Sequence, residues 1–333
     1  MSRIVLVKVK GSYLVKSLVL LISLACAGCT CFSIPLIGGE RSLEETVVAG
    51  KGKNKIVLID ISGVLSSKGK EGLLALQHEA SIVARVREEL QKAAQDKQVK
   101  GLILRINTPG GTVTSSDIIY REIKRFKDEM HVPVVACMME VATSGGYYVA
   151  LSADTIVAHP TSVTGSIGVI ALKFNAKGLM EKIGIEDETI MAGDKKDLFS
   201  PFRPITEEER VIVQNMLDDF HQRFMNIVAE GRKGLDREQI KKVADGRVFT
   251  AAQALEEKLI DEIGYLDDVI TLVKKKADIG DAKVVMYHRP YSYKNNIYSR
   301  MMPSDLTTIN LLNIDLQWLM DDTGLRFMYL WFP

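Results

Sequence analysis

The sequence predicts an α/β body with a mainly parallel β-sheet. Apolar runs of strand length occur at residues 55–61, 99–106 and 132–138. The first two are followed by segments with a helical apolar stripe, at residues 81–90 and 115–130. This alternation favours a parallel sheet, because each crossover helix returns the chain to the edge from which the next strand starts.

The rest of the chain continues this pattern and then becomes mainly helical. Thr206 and Glu209 have the spacing of a capping box, which predicts the start of a long helix. Further strands are predicted at residues 155–158, 188–191 and 283–287, and further helices at residues 144–152, 175–183 and near residues 237, 251 and 267. The predicted segments are an anchor (1–39), a polar linker (40–54), a body (55–288) and a tail of unknown role (289–333).

The N-terminal segment predicts a single membrane-spanning helix. Residues 17–39 contain no charged side chain, and this length is enough to cross a bilayer. Four basic residues and no acidic one precede the apolar segment: Arg3, Lys8, Lys10 and Lys16. The positive-inside rule therefore places the N-terminus in the cytoplasm and the body on the extracytoplasmic side. The membrane we expect is a bacterial-type inner membrane.

Two other fates of this segment stay open. Cleavage after Ala27 would make it a signal peptide, because small residues precede that position. Cys26 or Cys29 could carry a lipid, although small residues are also ordinary in membrane helices.

Composition excludes several classes of function. The formal net charge is +1, and no basic stripe indicates nucleic-acid binding. Cys137 is the only cysteine of the body, so no disulfide within it is possible. No cofactor and no metal site are predicted.

Ser144 is the first candidate for chemistry. It follows a predicted strand and precedes Gly145 and Gly146, at a predicted helix start. Open α/β folds place their active sites at such strand ends. A second glycine corner, Gly110 and Gly111, follows the strand at residues 99–106. Together the two corners could supply a nucleophile and an oxyanion hole.

A serine hydroxyl needs a base within hydrogen-bond reach. None of the five histidines has the context of a catalytic triad: His78, His131, His159, His221 and His288. Lys195 and Lys196 are the alternative bases, in a polar loop that an apolar run follows. A lysine base at neutral pH requires its pKa to fall by about 2 to 3 units from the ordinary value near 10.4, so the site has to be dry.

The motifs resemble those of the signal peptide peptidase A family, in its short, single-domain form. The resemblance covers about residues 55–287 and depends on the joint order of five short runs. These runs lie at residues 107–111, 143–148, 164–168, 195–201 and 245–250.

The resemblance implies a membrane-anchored serine endopeptidase with a Clp protease/crotonase-like fold. Ser144 would be the nucleophile and Lys196 its base, with Lys195 as the other candidate. Gly111, with Gly110 beside it, would form the oxyanion hole, and Ser166 would hold the lysine amine. No cofactor is implied.

The family also implies partners and an assembly. The substrates would be remnant signal peptides and other short apolar or unfolded peptides. The chain would form a membrane-bound homo-oligomer in which serine and lysine come from neighbouring subunits. Two other interpretations stay open: a crotonase-like acyl-CoA enzyme, and a non-catalytic membrane scaffold.

Overall fold

A computed structural model describes residues 43–71, 78–289 and 327–331. The strands in chain order are β1 (Glu44–Gly50), β2 (Asn54–Ser62), β3 (Lys70–Glu71), β4 (His78–Glu79), β5 (Val99–Thr108), β6 (Gly110–Thr112), β7 (Val134–Thr143), β8 (Thr155–Ala158), β9 (Val163–Gly165), β10 (Ile170–Ala171), β11 (Val248–Thr250), β12 (Glu262–Ile263), β13 (Ala282–His288) and β14 (Phe327–Leu330). The helices are α1 (Ile82–Ala94), α2 (Val113–Met130), α3 (Gly145–Ala150), α4 (Lys177–Ile183), α5 (Glu207–Gly231), α6 (Arg237–Val243), α7 (Ala251–Glu256) and α8 (Leu266–Lys276).

The central sheet confirms the predicted α/β architecture. Its strand order is β1-β13-β2-β5-β7-β8-β12, with β9 on β7 and β11 on β9. Within this sheet, only the β1–β13 and β11–β9 pairs are antiparallel. The strands β2, β5 and β7 are almost wholly buried, as expected for a sheet covered on both faces.

Two apolar layers cover the faces of the sheet. One contains the buried stripes of α1 and α2, with α3 and part of α5. The other is formed mainly by α8, whose Leu266, Val269 and Val273 are buried against the sheet. Gly101 in β5 permits close approach of α8, because a Cβ there would lie 2.4 Å from Val273 Cγ1.

The structure corrects two sequence-based predictions. The linker prediction for residues 40–54 is wrong for β1, which pairs antiparallel with β13 at the sheet edge. Lys55 fixes this strand by an ion pair of 2.7 Å with Glu45. The predicted strand at residues 188–191 does not form: Ile190 is 99% exposed and has no partner strand in the described chain.

Three predictions fall on residues that the structure does not describe. The membrane helix and the alternatives at Cys26, Ala27 and Cys29 lie outside the described residues, and so does most of the tail. In the described part of the chain, no helix is long and apolar enough to cross a membrane.

The carboxyl ends of β5 and β7 bring the two glycine corners together. Thr108, just before the first corner, pairs with Ala142, two residues before Ser144. A small second sheet, in the order β10-β14-β6, continues from this edge.

Candidate active site

Ser144 lies on a strained turn between β7 and α3. Its φ is 52° and its ψ is −113°, a conformation that costs an ordinary residue about 1 to 3 kcal/mol. The Ser144 N–H donates to the Gly165 carbonyl over 2.7 Å, which fixes the turn against β9. The side chain is 1% exposed, and its Oγ has no hydrogen-bond partner among the described residues. A buried hydroxyl without a partner is costly, and it is typical of functional sites, which makes this serine a candidate for chemistry.

Ser166 lies next to this turn. It follows Gly165, the acceptor of the Ser144 N–H, and its own N–H donates to the Arg247 carbonyl over 2.7 Å. Its φ is 51° and the residue is 7% exposed. The fold therefore brings both predicted serines to one corner.

The backbone N–H groups of Gly110 and Gly111 point in different directions. The Gly110 N–H donates to Thr108 Oγ1 over 3.0 Å, so the prediction that it serves the oxyanion hole is not supported by this geometry. Leu65 binds the other edge of β6, because its N–H donates to the Gly110 carbonyl and its carbonyl accepts from Thr112. Backbone groups alternate in direction along a strand, so the Gly111 N–H points away from Leu65, toward β14.

A segment of the chain itself occupies this edge. The strand β14 runs antiparallel to both β6 and β10, and Tyr329 pairs with Gly111. The Tyr329 carbonyl oxygen lies only 1.9 Å from the position that a Cβ on Gly110 would take, and 3.1 Å from the corresponding position on Gly145. An extended peptide thus places a carbonyl in the corner between Gly111 and Gly145, the residue after Ser144.

The Tyr329 side chain fills an aromatic pocket beside this corner. Its ring stacks on Tyr148 at 5.2 Å and lies 4.7 Å from Phe224. The Tyr329 hydroxyl donates to the Phe220 carbonyl over 2.8 Å. Burial raises the pKa of the Tyr329 hydroxyl, so the group stays neutral. The pocket therefore accepts a large apolar side chain with one polar end.

Sequence reasoning missed Gly145 and Tyr329. Gly145 begins a short helix and its nitrogen lies 2.9 Å from the position that a Cβ on Gly110 would take, and the glycine pair after Ser144 was the available signal. Tyr329 lies in the aromatic tail, where no periodic pattern predicted a strand that pairs with β6.

The two candidate lysines lie in a turn-rich segment after α4. Lys195 Nζ donates to Glu208 Oε2 over 2.6 Å, and this hydrogen bond raises the pKa of Lys195. A general base at neutral pH needs a lysine pKa that is lowered, not raised. Lys196 is exposed, and no hydrogen bond joins either lysine to Ser144 in the described chain. The fold thus assembles Ser144, Ser166 and Gly111, but it does not bring Lys196 to them within one chain.

The site contains the parts of a serine-type peptidase: a serine at a strand-helix corner, backbone donors beside it, and an extended peptide across both. The sequence profile of peptidase family S49 matches residues 126–280.

Curated relatives give the same result. A protein of Enterococcus faecium named as signal peptide peptidase SppA is 36% identical over 75% of this chain and 72% of its own. The chloroplastic serine protease SPPA of Arabidopsis thaliana is 36% identical over 68% of this chain and 33% of its own. Protease 4 of Haemophilus influenzae is 31% identical over 68% of this chain and 36% of its own. The chain belongs to peptidase family S49, among the signal peptide peptidases of the SppA type.

Proposed function

We propose that the protein is a membrane-anchored endopeptidase that cleaves remnant signal peptides and other short apolar peptides with a Ser144–Lys196 dyad. The observation that carries the proposal is the seating of β14. It supports the proposal because an extended segment pairs with β6 and β10 and its Tyr329 carbonyl lies at the corner formed by Gly111 and Gly145. The names of the relatives supply the substrate class.

The proposed reaction uses this corner together with the amine of Lys196. Ser144 Oγ attacks the scissile carbonyl carbon and its proton passes to Lys196 Nζ. The carbonyl oxygen becomes an oxyanion that the Gly111 and Gly145 N–H groups stabilise. When the C–N bond breaks, the leaving amine takes the proton from Lys196. Water, deprotonated by the same lysine, then hydrolyses the acyl-enzyme and restores the Ser144 hydroxyl.

Lys196 is preferred over Lys195 because of their partners. Lys195 is paired with Glu208, which stabilises its charged form. Lys196 has no such ion pair in the described chain. Ser166 follows the acceptor of the Ser144 N–H in the chain, and in the proposal its hydroxyl orients the amine that approaches Ser144.

The lysine reaches Ser144 from a neighbouring subunit in this proposal. The segment that carries Lys196 exposes many large apolar side chains, which a monomer leaves in water: Phe174, Leu179, Ile183, Ile185, Ile190, Met191, Phe202, Val211 and Met216. Exposed apolar patches of this kind mark protein–protein contacts. Burying this segment against the next subunit would also provide the dry environment that lowers a lysine pKa.

The N-terminal segment anchors the assembly in the proposal. Its uncharged residues 17–39, preceded only by basic charges, favour one membrane span with the body on the extracytoplasmic side. Membrane lipid would then lie close to the site, where signal peptides remain after secretion.

An active-site label tests the proposal. The detergent-solubilised full chain is treated with a fluorophosphonate and with a fluorogenic apolar peptide. We expect labelling and cleavage in the wild type and in Lys195→Ala, neither in Ser144→Ala, and no more than a small residual rate of cleavage in Lys196→Ala. Ser152→Ala is a matched control, because that serine is also buried but donates to the Val149 carbonyl. Labelling that persists in Ser144→Ala, or cleavage that persists at the wild-type rate in Lys196→Ala, would refute the dyad.

A further inference from the structure

The Lys196 segment is fixed to the body by a group of hydrogen bonds centred on Arg203. The Arg203 guanidinium donates to both oxygens of Asp197, over 2.5 and 2.7 Å. It also donates to both oxygens of Glu209, over 2.9 and 2.6 Å. One side chain thus joins the residue after Lys196 to the first turn of α5.

Glu209, the carboxylate on α5 that binds Arg203, is itself fixed in position. Its side chain is only 1% exposed, and it accepts from the Thr206 N–H while Thr206 caps α5. The hydrogen bonds from Arg203 hold the pKa of Glu209 at about 2, so this carboxylate stays charged. The planar guanidinium group of Arg203 binds two carboxylates at once, so it fixes the orientation of the two carboxylates as well as the distance between them.

Lys173 holds the same segment from the other side. Its Nζ donates to the Ser200 carbonyl over 2.8 Å and to the Arg203 carbonyl over 2.9 Å. Burial is the main cause that lowers the pKa of Lys173. With the Ala176 N–H, which donates to the Pro201 carbonyl, these bonds fix residues 197–203 at several points.

We infer that Arg203 is a positioning residue for the proposed reaction: by binding Asp197 and Glu209 together, it sets the place from which Lys196 reaches Ser144 of the adjacent subunit. The inference rests on the proposed function, because it requires Lys196 to be the base. Arg203 touches no reacting atom. Its effect is on the location and the surroundings of the amine.

The charges near the amine predict the sign of the effect on pH. The charged groups of this segment and of the elements packed against it include Asp187, Asp194, Lys195 with its partner Glu208, Asp197 and Glu209 with Arg203, and Lys173. Arg203→Gln leaves the Asp197 carboxylate without its counter-charge, which favours the protonated lysine. The rise of kcat with pH should therefore move to higher pH. Asp197→Asn removes the negative charge and leaves Arg203 on Glu209, so the rise should move to lower pH.

The test measures kcat and KM for an apolar fluorogenic peptide from pH 6 to 10.5, with the full chain in detergent. We expect Arg203→Gln to lower kcat by about 10- to 100-fold, because displacing a catalytic group by about 1 Å has effects of that order. KM should change by less than about twofold, because the peptide strand binds to β6 and β10 and not to Arg203. Arg203→Lys should recover only part of the rate, because an ammonium group cannot bind two carboxylates as a fork.

A double-mutant cycle separates positioning from general damage. In the Lys196→Ala background, Arg203→Gln should change the residual rate by less than about twofold, because the group it positions is already gone. Arg232→Gln is the control: this arginine also binds a carboxylate and two carbonyls, of Asp261, Lys258 and Ile260. We expect it to leave the pH profile unmoved.

Three results would overturn the inference. They are a wild-type rate in Arg203→Gln, an equal loss in both backgrounds, and a loss of kcat without any shift of the pH profile. If Arg203→Gln does not fold, Asp197→Asn answers the same question, since it keeps the cap of α5; a wild-type rate and profile in that variant would also refute it. Wild-type activity of Lys196→Ala would instead refute the proposed dyad, so the two failures are distinguishable.

Discussion

Substitution of Gly110 by alanine probes the corner in which the scissile carbonyl is expected to lie. Gly110 has φ of 106°, which an alanine adopts only at a cost of about 1 to 3 kcal/mol. The added Cβ would also lie 1.9 Å from the carbonyl oxygen of the seated peptide and 2.9 Å from the Gly145 nitrogen. A real Cβ needs more than 3 Å, so the carbonyl has to move away from its donors by about 1 Å.

The magnitude follows from what that displacement removes. Loss of one oxyanion donor costs about 10² to 10³ in kcat, and a misplacement of about 1 Å costs a similar factor. We therefore expect kcat/KM of Gly110→Ala to fall by at least about 10²-fold. Steady-state hydrolysis of a fluorogenic peptide measures this, and circular dichroism checks that the chain is folded.

Substitutions of two other glycines separate the steric clash in this corner from backbone strain and from the substitution itself. Gly246 has φ of 88° but open space around it, so Gly246→Ala tests backbone strain alone. Gly234 has neither a positive φ nor a neighbour within 4 Å, so Gly234→Ala tests the substitution itself. Activity of Gly110→Ala within tenfold of both controls would refute the assignment of this corner as the oxyanion site.

Three further predictions follow from the site and its surroundings. Tyr329→Ala should weaken the seating of β14, because it empties an aromatic pocket. The KM for an added peptide should therefore be lower than in the wild type. An unchanged or higher KM would contradict this. Glu208→Gln, which removes the partner of Lys195, should leave the plateau value of kcat unchanged and shift its pH profile less than Asp197→Asn does, and a larger shift would make Lys195 the base. Arg203 lowers the pKa of Glu209 in the folded state, so the contribution of Glu209 to stability should be fully present above its unfolded pKa near 4.5 and be lost as pH falls through about 2. Urea unfolding between pH 2 and 6 should show this loss of stability. The Arg203→Gln variant should lack this pH dependence.

Much of the architecture could be predicted from the sequence because it depends on local patterns. Buried parallel strands such as β5 and β7 are continuous apolar runs, and Thr206 with Glu209 formed the predicted capping box. The glycine corners were visible for the same reason. The strands that precede the two glycine corners are adjacent in the sheet, so the two motifs lie next to each other in the fold.

The features that escaped prediction depend on contacts between distant parts of the chain. The strand β1 begins with three polar residues and has no long apolar run, and its strand conformation depends on pairing with the edge of β13. The strand β14 lies more than 200 residues from its partner β6. The occupied N–H of Gly110 follows from the rotamer of Thr108, which no spacing rule reveals. In the proposed mechanism Lys196 approaches Ser144 from a second subunit, and such an approach is contained in neither one sequence nor one folded chain.

Subunit complementation tests the central claim most directly. Ser144→Ala and Lys196→Ala chains, each with at most a small residual activity alone, are unfolded or dissociated together, reassembled as a mixture, and assayed with the fluorogenic peptide. We expect activity to return, because some interfaces then combine an intact Ser144 with an intact Lys196 of the neighbouring subunit. A mixture that stays inactive, while wild-type chains treated in the same way recover, would contradict it.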